Sequence, residues 1–306
     1  MQKLIYIFRK IQGLLSAPLY RIANYMRLRR SNFNITFVHE GYVEVKLPKL
    51  SITNAVFGSG INFSRNVSYM SRPNAEVLLR KLIFEMYKSG YINKNLSIVD
   101  IGSWISDNSI VWASYLSGSG HVLAIDPSSS NLKYSKNLAN INDIKNIDFI
   151  EAVCSEKPGM KLDFDGTIDH AEFKVSESKN SIESSSIDKI VYEGNYEIGL
   201  MHVDVEGFEL SVLQGSESVL KRDMPVISFE QHISREDVSK VTNYLKDFGY
   251  RVFMVNEVLP FCDKDCRNFL AFPASKEIPQ LTKFNQADAF SLGICSAVVG
   301  ESLIEI

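Results

Sequence analysis

From residue 97 onward the chain alternates short apolar runs with longer helical stretches, and few architectures are compatible with that rhythm. Residues 97–101, 121–125, 147–151, 198–203, 225–229 and 251–255 are rich in Val, Ile, Leu and Phe and too short for buried helices, so they read as strands. Residues 110–116, 131–140, 209–220 and 235–248 carry apolar side chains at helical spacing. Strands and helices that alternate in this way are joined by crossovers, which gives a mostly parallel sheet with helices on both faces, an α/β fold. The composition, 45% apolar and 23% charged, supplies enough material for the core of such a sheet and is inconsistent with disorder.

The flanking regions follow other patterns. Residues 1 to 39 hold seven basic residues (Lys3, Arg9, Lys10, Arg21, Arg27, Arg29, Arg30) and no Asp or Glu, so against a net charge of -3 the rest of the chain stands at -10. Leu4, Ile7, Phe8, Ile11, Leu14 and Leu15 recur at helical spacing, so residues 1–16 read as a basic amphipathic helix, interrupted at Pro18 before a second short helix through Met26. Three roles fit residues 1–30: packing on the domain or a partner subunit, contact with an anionic membrane surface, or a removed targeting segment. Residues 33–60 suggest a few antiparallel strands. Pro73 opens a helix over residues 75–88 with Val77, Leu78, Leu82, Ile83 and Met86 as its apolar stripe. The serine-rich residues 176–186 read as a surface loop, and the tail shows only an apolar patch over residues 290–299. The expected organisation is an N-terminal region of residues 1–72, a main domain of residues 73–273 and a tail of residues 274–306. Cys154, Cys262, Cys266 and Cys295 are too few for a disulfide framework, and no run of about eighteen apolar residues is present to cross a bilayer. A cytoplasmic setting is expected, with the basic N-terminus as the feature that would bring the chain to a membrane surface.

In parallel sheets, ligands bind beyond the carboxyl ends of the strands where the strand order reverses, so residues just after each strand are the site candidates. The first is Val99-Asp100-Ile101-Gly102-Ser103, where a glycine allows a ligand close to the backbone and the next helix presents free amides. A dinucleotide site calls for G-x-G-x-x-G, but positions 104 and 107 are Trp and Asp. The second is Asp126-Pro127, 24 residues after Gly102, close to the spacing of about 20 from which a carboxylate accepts hydrogen bonds from a ribose; capping of the following helix is the alternative. The third is Met201-His202-Val203-Asp204-Val205-Glu206-Gly207-Phe208-Glu209, in which His202 and Asp204 share a strand face and three carboxylates lie within eight residues. Buried carboxylates are costly unless paired, so this cluster suits a cationic or hydroxyl-bearing ligand, while Glu209 also suits the start of a helix.

These motifs resemble those of the FkbM-type methyltransferases, which belong to the class I S-adenosylmethionine-dependent enzymes. The resemblance rests on Val99-Asp100-Ile101-Gly102, Asp126-Pro127, Ser186-Ile187-Asp188, and most specifically Asp204-Val205-Glu206-Gly207-Phe208-Glu209 followed by Val212-Leu213-Gln214-Gly215 and Pro225-Val226-Ile227-Ser228-Phe229-Glu230. It covers about residues 75 to 272 and implies a Rossmann-like, seven-stranded sheet whose final strand, near Phe269 to Phe272, is inserted antiparallel. It further implies S-adenosylmethionine as cofactor, S-adenosylhomocysteine as product, and a hydroxyl oxygen of a sugar, glycan or secondary metabolite as methyl acceptor. On this basis Asp100, Gly102, Ser103 and Asp126-Pro127 would hold the cofactor, Ala152 and Val153 would flank its adenine, and Asp204 would lie near the sulfonium and the acceptor. Two departures stand out. Where the family continues Gly-Ala-Asn-x-Gly, this chain has Gly102-Ser103-Trp104-Ile105-Ser106, and His202 replaces a lysine common in the family.

Methyl transfer to oxygen needs alignment and removal of the acceptor proton, and His202, Asp204 and His232 are the candidate bases. Replacing His202 by Ala is expected to cut turnover while sparing cofactor affinity. No metal is assigned, although Asp204, Glu206 and Glu230 would supply oxygens if the fold brought them together. Cys262 and Cys266 read as isolated thiols, since a zinc site would need a second pair. Other readings are methylation of RNA or protein, which the acidity of the main domain opposes, and a non-catalytic docking module. Self-association is left open.

Overall fold

The structure is a computed structural model and describes residues 34–36, 44–46, 77–167, 170–175, 181–233, 237–257, 266–281, 283–284 and 300–306. The basic helices expected within residues 1–26 and the apolar patch at 290–299 lie outside these. Strands β1 (Asn34–Thr36) and β2 (Glu44–Lys46) pair antiparallel, as the composition of that region suggests. Helix α1 (Val77–Lys88) follows, with Leu78, Leu79, Leu82, Ile83 and Met86 fully buried.

The alternating region then runs β3 (Ser97–Ile101), α2 (Asp107–Ala113), β4 (Val122–Asp126), α3 (Ser129–Ile141), β5 (Ile147–Glu151), β6 (Val153–Cys154), β7 (Lys161–Thr167), β8 (His170–Val175), β9 (Ser181–Ser185) and α4 (Ile187–Glu193). It continues through β10 (Ile198–Val203), α5 (Glu209–Gln214), α6 (Glu217–Asp223), β11 (Val226–His232), α7 (Val238–Asp247), β12 (Tyr250–Val255) and β13 (Cys266–Pro273). Short strands β14 (Lys283–Phe284), β15 (Gly300–Glu301) and β16 (Leu303–Glu305) complete it. The central sheet has the order β16-β12-β13-β11-β10-β3-β4-β5, with β13 antiparallel to both neighbours. This is the expected seven-stranded sheet, extended at one edge by β16. Phe229 and Phe269 stack across the β11–β13 pair with ring centroids 5.0 Å apart.

Side chains alternate between two apolar layers. Ile98, Val122, Ala124, Leu200, Val226 and Leu270 face α1, α2 and α3, whereas Val99, Leu123, Met201, Ile227 and Ala271 face α4 to α7. By the same alternation Asp100, Asp126, His202, Ser228, Glu230 and His232 belong to the α1–α2–α3 face. The apolar layer on that side therefore turns polar toward the carboxyl ends of the strands.

Four local expectations are corrected. The helix expected over 209–220 is two helices, because a Cβ at Gly215 would lie 2.1 Å from the Ser155 carbonyl oxygen, and the chain bends at this close approach. Strand β11 runs on to His232, since β13 pairs with it through Glu230, Gln231 and His232. Ser181–Ser185 is not loop but strand β9, paired with β6 and β7 in a second, four-stranded sheet. Finally, Cys266 is disulfide-bonded rather than an isolated thiol. Which cysteines come within bonding reach is a matter of Cα separation, which spacing along the chain does not reveal.

Candidate active site

The strand order reverses between β3 and β10, with β4 and β5 on one side and β11 and β13 on the other, so the cleft expected of such a sheet opens beyond these two strands. Gly102 follows β3 with φ of 77° and sits against the chain leaving β10. A Cβ there would lie 1.7 Å from the Asp204 carbonyl oxygen. Backbone bonds tie three strand ends together: the amides of Gly102 and Ser103 both donate to the Ile125 carbonyl of β4 (2.9 and 3.0 Å), and the Asp204 amide beyond β10 donates to that of Ile101 in β3 (3.0 Å).

Beyond Gly102 the chain turns through Trp104 and Ser106, which both hold left-handed backbone (φ of 48° and 59°). Asn or Gly suits this conformation; Trp and Ser adopt it only under constraint. The substituted motif thus keeps a glycine-like path. The hydroxyls of Ser103 and Ser106 are buried at this turn without a hydrogen-bond partner. Asp126 closes the other side. One carboxylate oxygen accepts from the Trp104 amide (2.9 Å), and the other from the Ser128 amide (2.8 Å) and Asn131 Nδ2 (3.1 Å). Burial pushes its pKa up to about 6 against the pull of these three donors. A carboxylate offers about four acceptor positions, so one remains for a ribose hydroxyl without displacing a protein donor. Pro127 follows directly, Ala152 is half-buried beyond β5, and Val153 is buried in β6 opposite Ser184.

Asp100 is buried and accepts from the Ser109 hydroxyl of α2. Its register neighbour on β10 is His202, whose own neighbour on β11 is Ser228. His202 is 2% exposed, with Nδ1 3.2 Å from Ser228 Oγ and the ring edge-on to Trp112 at 5.1 Å between centroids. Nearer the strand ends, the structure brings together what spacing alone did not. Carboxylate oxygens of Asp204, Glu206 and Glu230 lie within 4.8 Å of one another, and His232 Nε2 is 3.5 Å from Glu206 and 3.9 Å from Glu230. Three carboxylates could hold an oxygen-preferring cation. The neighbouring set Glu230, His232 and Cys266 is a poorer donor group, because the Cys266 sulfur is in a disulfide.

Two motif carboxylates serve the scaffold. Glu209 Oε1 accepts from the amides of Gly207 (2.9 Å) and Val205 (3.4 Å), closing the loop that carries Asp204 and Glu206. Asp188 accepts from the amides of Ser218 and Val219 and so caps α6, while Ser186 caps α4. Arg80 went unrecognised. It follows Leu78 and Leu79 and precedes Lys81 in α1, and the sequence carries no sign that it reaches the first residues of α2.

A sheet of this order, with a glycine touching the next strand end at its switch point and a buried aspartate ending the second strand, defines the class I Rossmann-like methyltransferase fold. Residues 100–252, half of the 306-residue chain, match the family model "Methyltransferase FkbM domain", and the chain belongs to that family. Among solved structures it is similar to a methyltransferase FkbM from Methylobacillus flagellatus KT (16% identity, 74% of this chain and 64% of that chain, TM-score 0.44). The chain thus spans less than two thirds of that protein's length. It is also similar to a SAM dependent methyltransferase from Aquifex aeolicus (15% identity, 62% and 88%, TM-score 0.37) and to a precorrin-6y C5,15-methyltransferase from Geobacter metallireducens GS-15 (15%, 65% and 87%, TM-score 0.40). No curated protein sequence matches it. The family implies S-adenosylmethionine as methyl donor. Among the described residues no helix is long and apolar enough to cross a membrane.

Proposed function

We propose that this protein transfers a methyl group from S-adenosylmethionine to a hydroxyl oxygen of a sugar, glycan or secondary metabolite. The observation that carries the reading is the grouping of Asp204, Glu206, Glu230 and His232 at the strand ends, next to the Gly102–Asp204 contact. When bound, the cofactor supplies an electrophilic methyl on a sulfonium leaving group. The chain's own residues do the rest. Gly102 leaves room for close approach, Asp126 accepts from the ribose, Asp100 and Ser103 line the methionine side, and Ala152 and Val153 bound the adenine side. An acceptor rim of carboxylates repels phosphates and carboxylates and suits ligands rich in hydroxyl donors.

His232 accepts the acceptor proton at Nε2, and the flanking Glu206 and Glu230 stabilise the imidazolium that results. Asp204 orients the acceptor hydroxyl. His202 is the rival base, but it lies deeper, enclosed by Trp112 and Ser228. His232→Ala is expected to lower turnover by roughly a hundredfold or more while S-adenosylhomocysteine affinity stays within about twofold. The enclosure of His202 revises the loss of turnover expected from the sequence for His202→Ala: the variant is now expected to act mainly on stability, lowering the melting temperature. A hundredfold loss of turnover in His202→Ala at unchanged melting temperature would instead assign the base to His202.

Isothermal titration with S-adenosylhomocysteine, followed by transfer of labelled methyl groups to a panel of sugar acceptors, tests the reading. Micromolar binding and label appearing on oxygen are expected. No binding by the folded protein would leave the docking-module reading in its place. Contact of residues 1–30 with a membrane surface or a second subunit is a separate proposal, resting on their charge and apolar spacing.

A further inference from the structure

Trp104 and Ser106 hold left-handed backbone although neither is glycine, and such residues persist only where their surroundings over-determine them. Inside the turn, the Trp104 amide donates to Asp126 (2.9 Å), the Ser106 amide donates to the Ser103 carbonyl (2.6 Å), and the Ile110 amide donates to the Ser106 carbonyl (3.0 Å). Ser106 stands at the N-cap position of α2, yet its side chain caps nothing. The exit of the turn therefore lacks the local fastening that an N-cap hydroxyl usually gives.

Helix α1 supplies a fastening from outside. Arg80, 2% exposed, donates through Nη2 to Asp107 Oδ2 (2.7 Å) and through Nε to Asn108 Oδ1 (2.9 Å). Asp107 and Asn108 open α2 immediately after Ser106. A planar guanidinium gripping two adjacent side chains fixes orientation as well as position. The helix that carries it is itself anchored, by five fully buried apolar side chains and by the Leu78 amide, which donates to Glu257 Oε2 (3.0 Å).

We propose that Arg80 is a positioning residue for cofactor binding. By clamping the first residues of α2 to α1, it holds the Trp104–Ser106 turn in the left-handed shape that presents the Trp104 amide to Asp126. The proposal rests on the methyltransferase reading above. It makes α1, which lies before the residues matched by the family model, part of the cofactor-binding apparatus.

The test uses the full chain and the paired variant Arg80→Gln with Asp107→Asn, which removes the ion pair without leaving a buried unpaired charge. The pair is made both in the native background and together with Ser106→Gly, a residue at ease in left-handed backbone. Two quantities are read: S-adenosylhomocysteine affinity, and amide hydrogen exchange at Ser106 and Ile110 in the unliganded protein. In the native background the neutral pair is expected to weaken affinity about tenfold and to speed exchange by a similar factor, the order expected when a binding group is misplaced but not removed. With glycine at 106 both effects should shrink to within about twofold. Equal losses in both backgrounds, or none in either, would overturn the clamp. Failure of the neutral pair to unfold cooperatively would overturn it too, since Arg80 would then serve the fold and not the turn. If the native protein bound no cofactor, the methyltransferase reading would fail, and the exchange rates would still decide whether Arg80 holds the turn.

Discussion

Gly102→Ala is expected to destabilise the protein by about 3 kcal/mol and to abolish cofactor binding, because the change forces two backbones apart and strains the backbone at residue 102 itself. A Cβ at 102 would lie 1.7 Å from the Asp204 carbonyl oxygen and 2.8 Å from its carbon, and neither can turn aside as a flexible side-chain end would. The residue also has φ of 77°, where alanine is disfavoured. Relief requires β3 and β10 to separate at their carboxyl ends. That would break the bond from the Asp204 amide to Ile101 and move Asp204 away from its place beside Glu206 and Glu230. Denaturant unfolding and S-adenosylhomocysteine titration check both halves. Native-like stability in Gly102→Ala would mean that the two strand ends are not in contact. Gly90 makes a suitable control, since its φ is also positive but a Cβ there meets nothing within 4 Å.

Asp126→Ala is expected to weaken S-adenosylhomocysteine binding by roughly a hundredfold, the value of a charge-assisted hydrogen bond in a buried setting. The same carboxylate gives binding and stability opposite responses to pH. Its folded-state pKa is raised from 3.8 to about 6 by burial. A raised value means that the folded protein takes up the proton first as pH falls. The associated stability is therefore fully present below 3.8 and is lost as pH rises through about 6, on the order of 3 kcal/mol in all. Cofactor affinity should run the other way, strengthening as Asp126 ionises and becomes a full acceptor. Asp126→Asn should remove both dependences between pH 4 and 6, measured as unfolding free energy and as dissociation constant. If the stability profile of native protein and Asp126→Asn coincided over that window, the buried-carboxylate account of Asp126 would be wrong.

The parts of the molecule legible in the sequence are those governed by nearest neighbours. The six runs from residue 97 appear as β3, β4, β5, β10, β11 and β12 because apolar β-branched residues next to glycine and polar turns dictate extended backbone locally. The placement of Gly102, Asp126 and Asp204 at strand ends follows from the same periodicity. The insertion of β13 between β11 and β12 was implied by the family resemblance and not by any pattern within residues 266–273. Where distant segments meet, the sequence was silent or misleading. Helical spacing runs across residues 209–220, and contacts from distant segments divide it: Ser155 against Gly215, and Asp188 bonded to the Gly215 carbonyl and to the first amides of α6. The serines of β9 have no strand pattern of their own and become a strand because β6 and β7 offer hydrogen-bond partners. Trp104 and Ser106 stand where the resembled family has Asn and Gly, yet the turn keeps its left-handed path through contacts with Asp126 and α1.

Taken by itself, the sequence determined the α/β class, the succession of elements and the positions at which chemistry-bearing residues leave the sheet, since each depends on side-chain period over a few residues. Only the tertiary structure decided that Asp204, Glu206, Glu230 and His232 face one another, that Glu209 and Asp188 are spent on the scaffold, and that Arg80 reaches α2. These are distances between groups far apart along the chain. They are set by strand order, register and the packing of α1 on the sheet, none of which has a local signature.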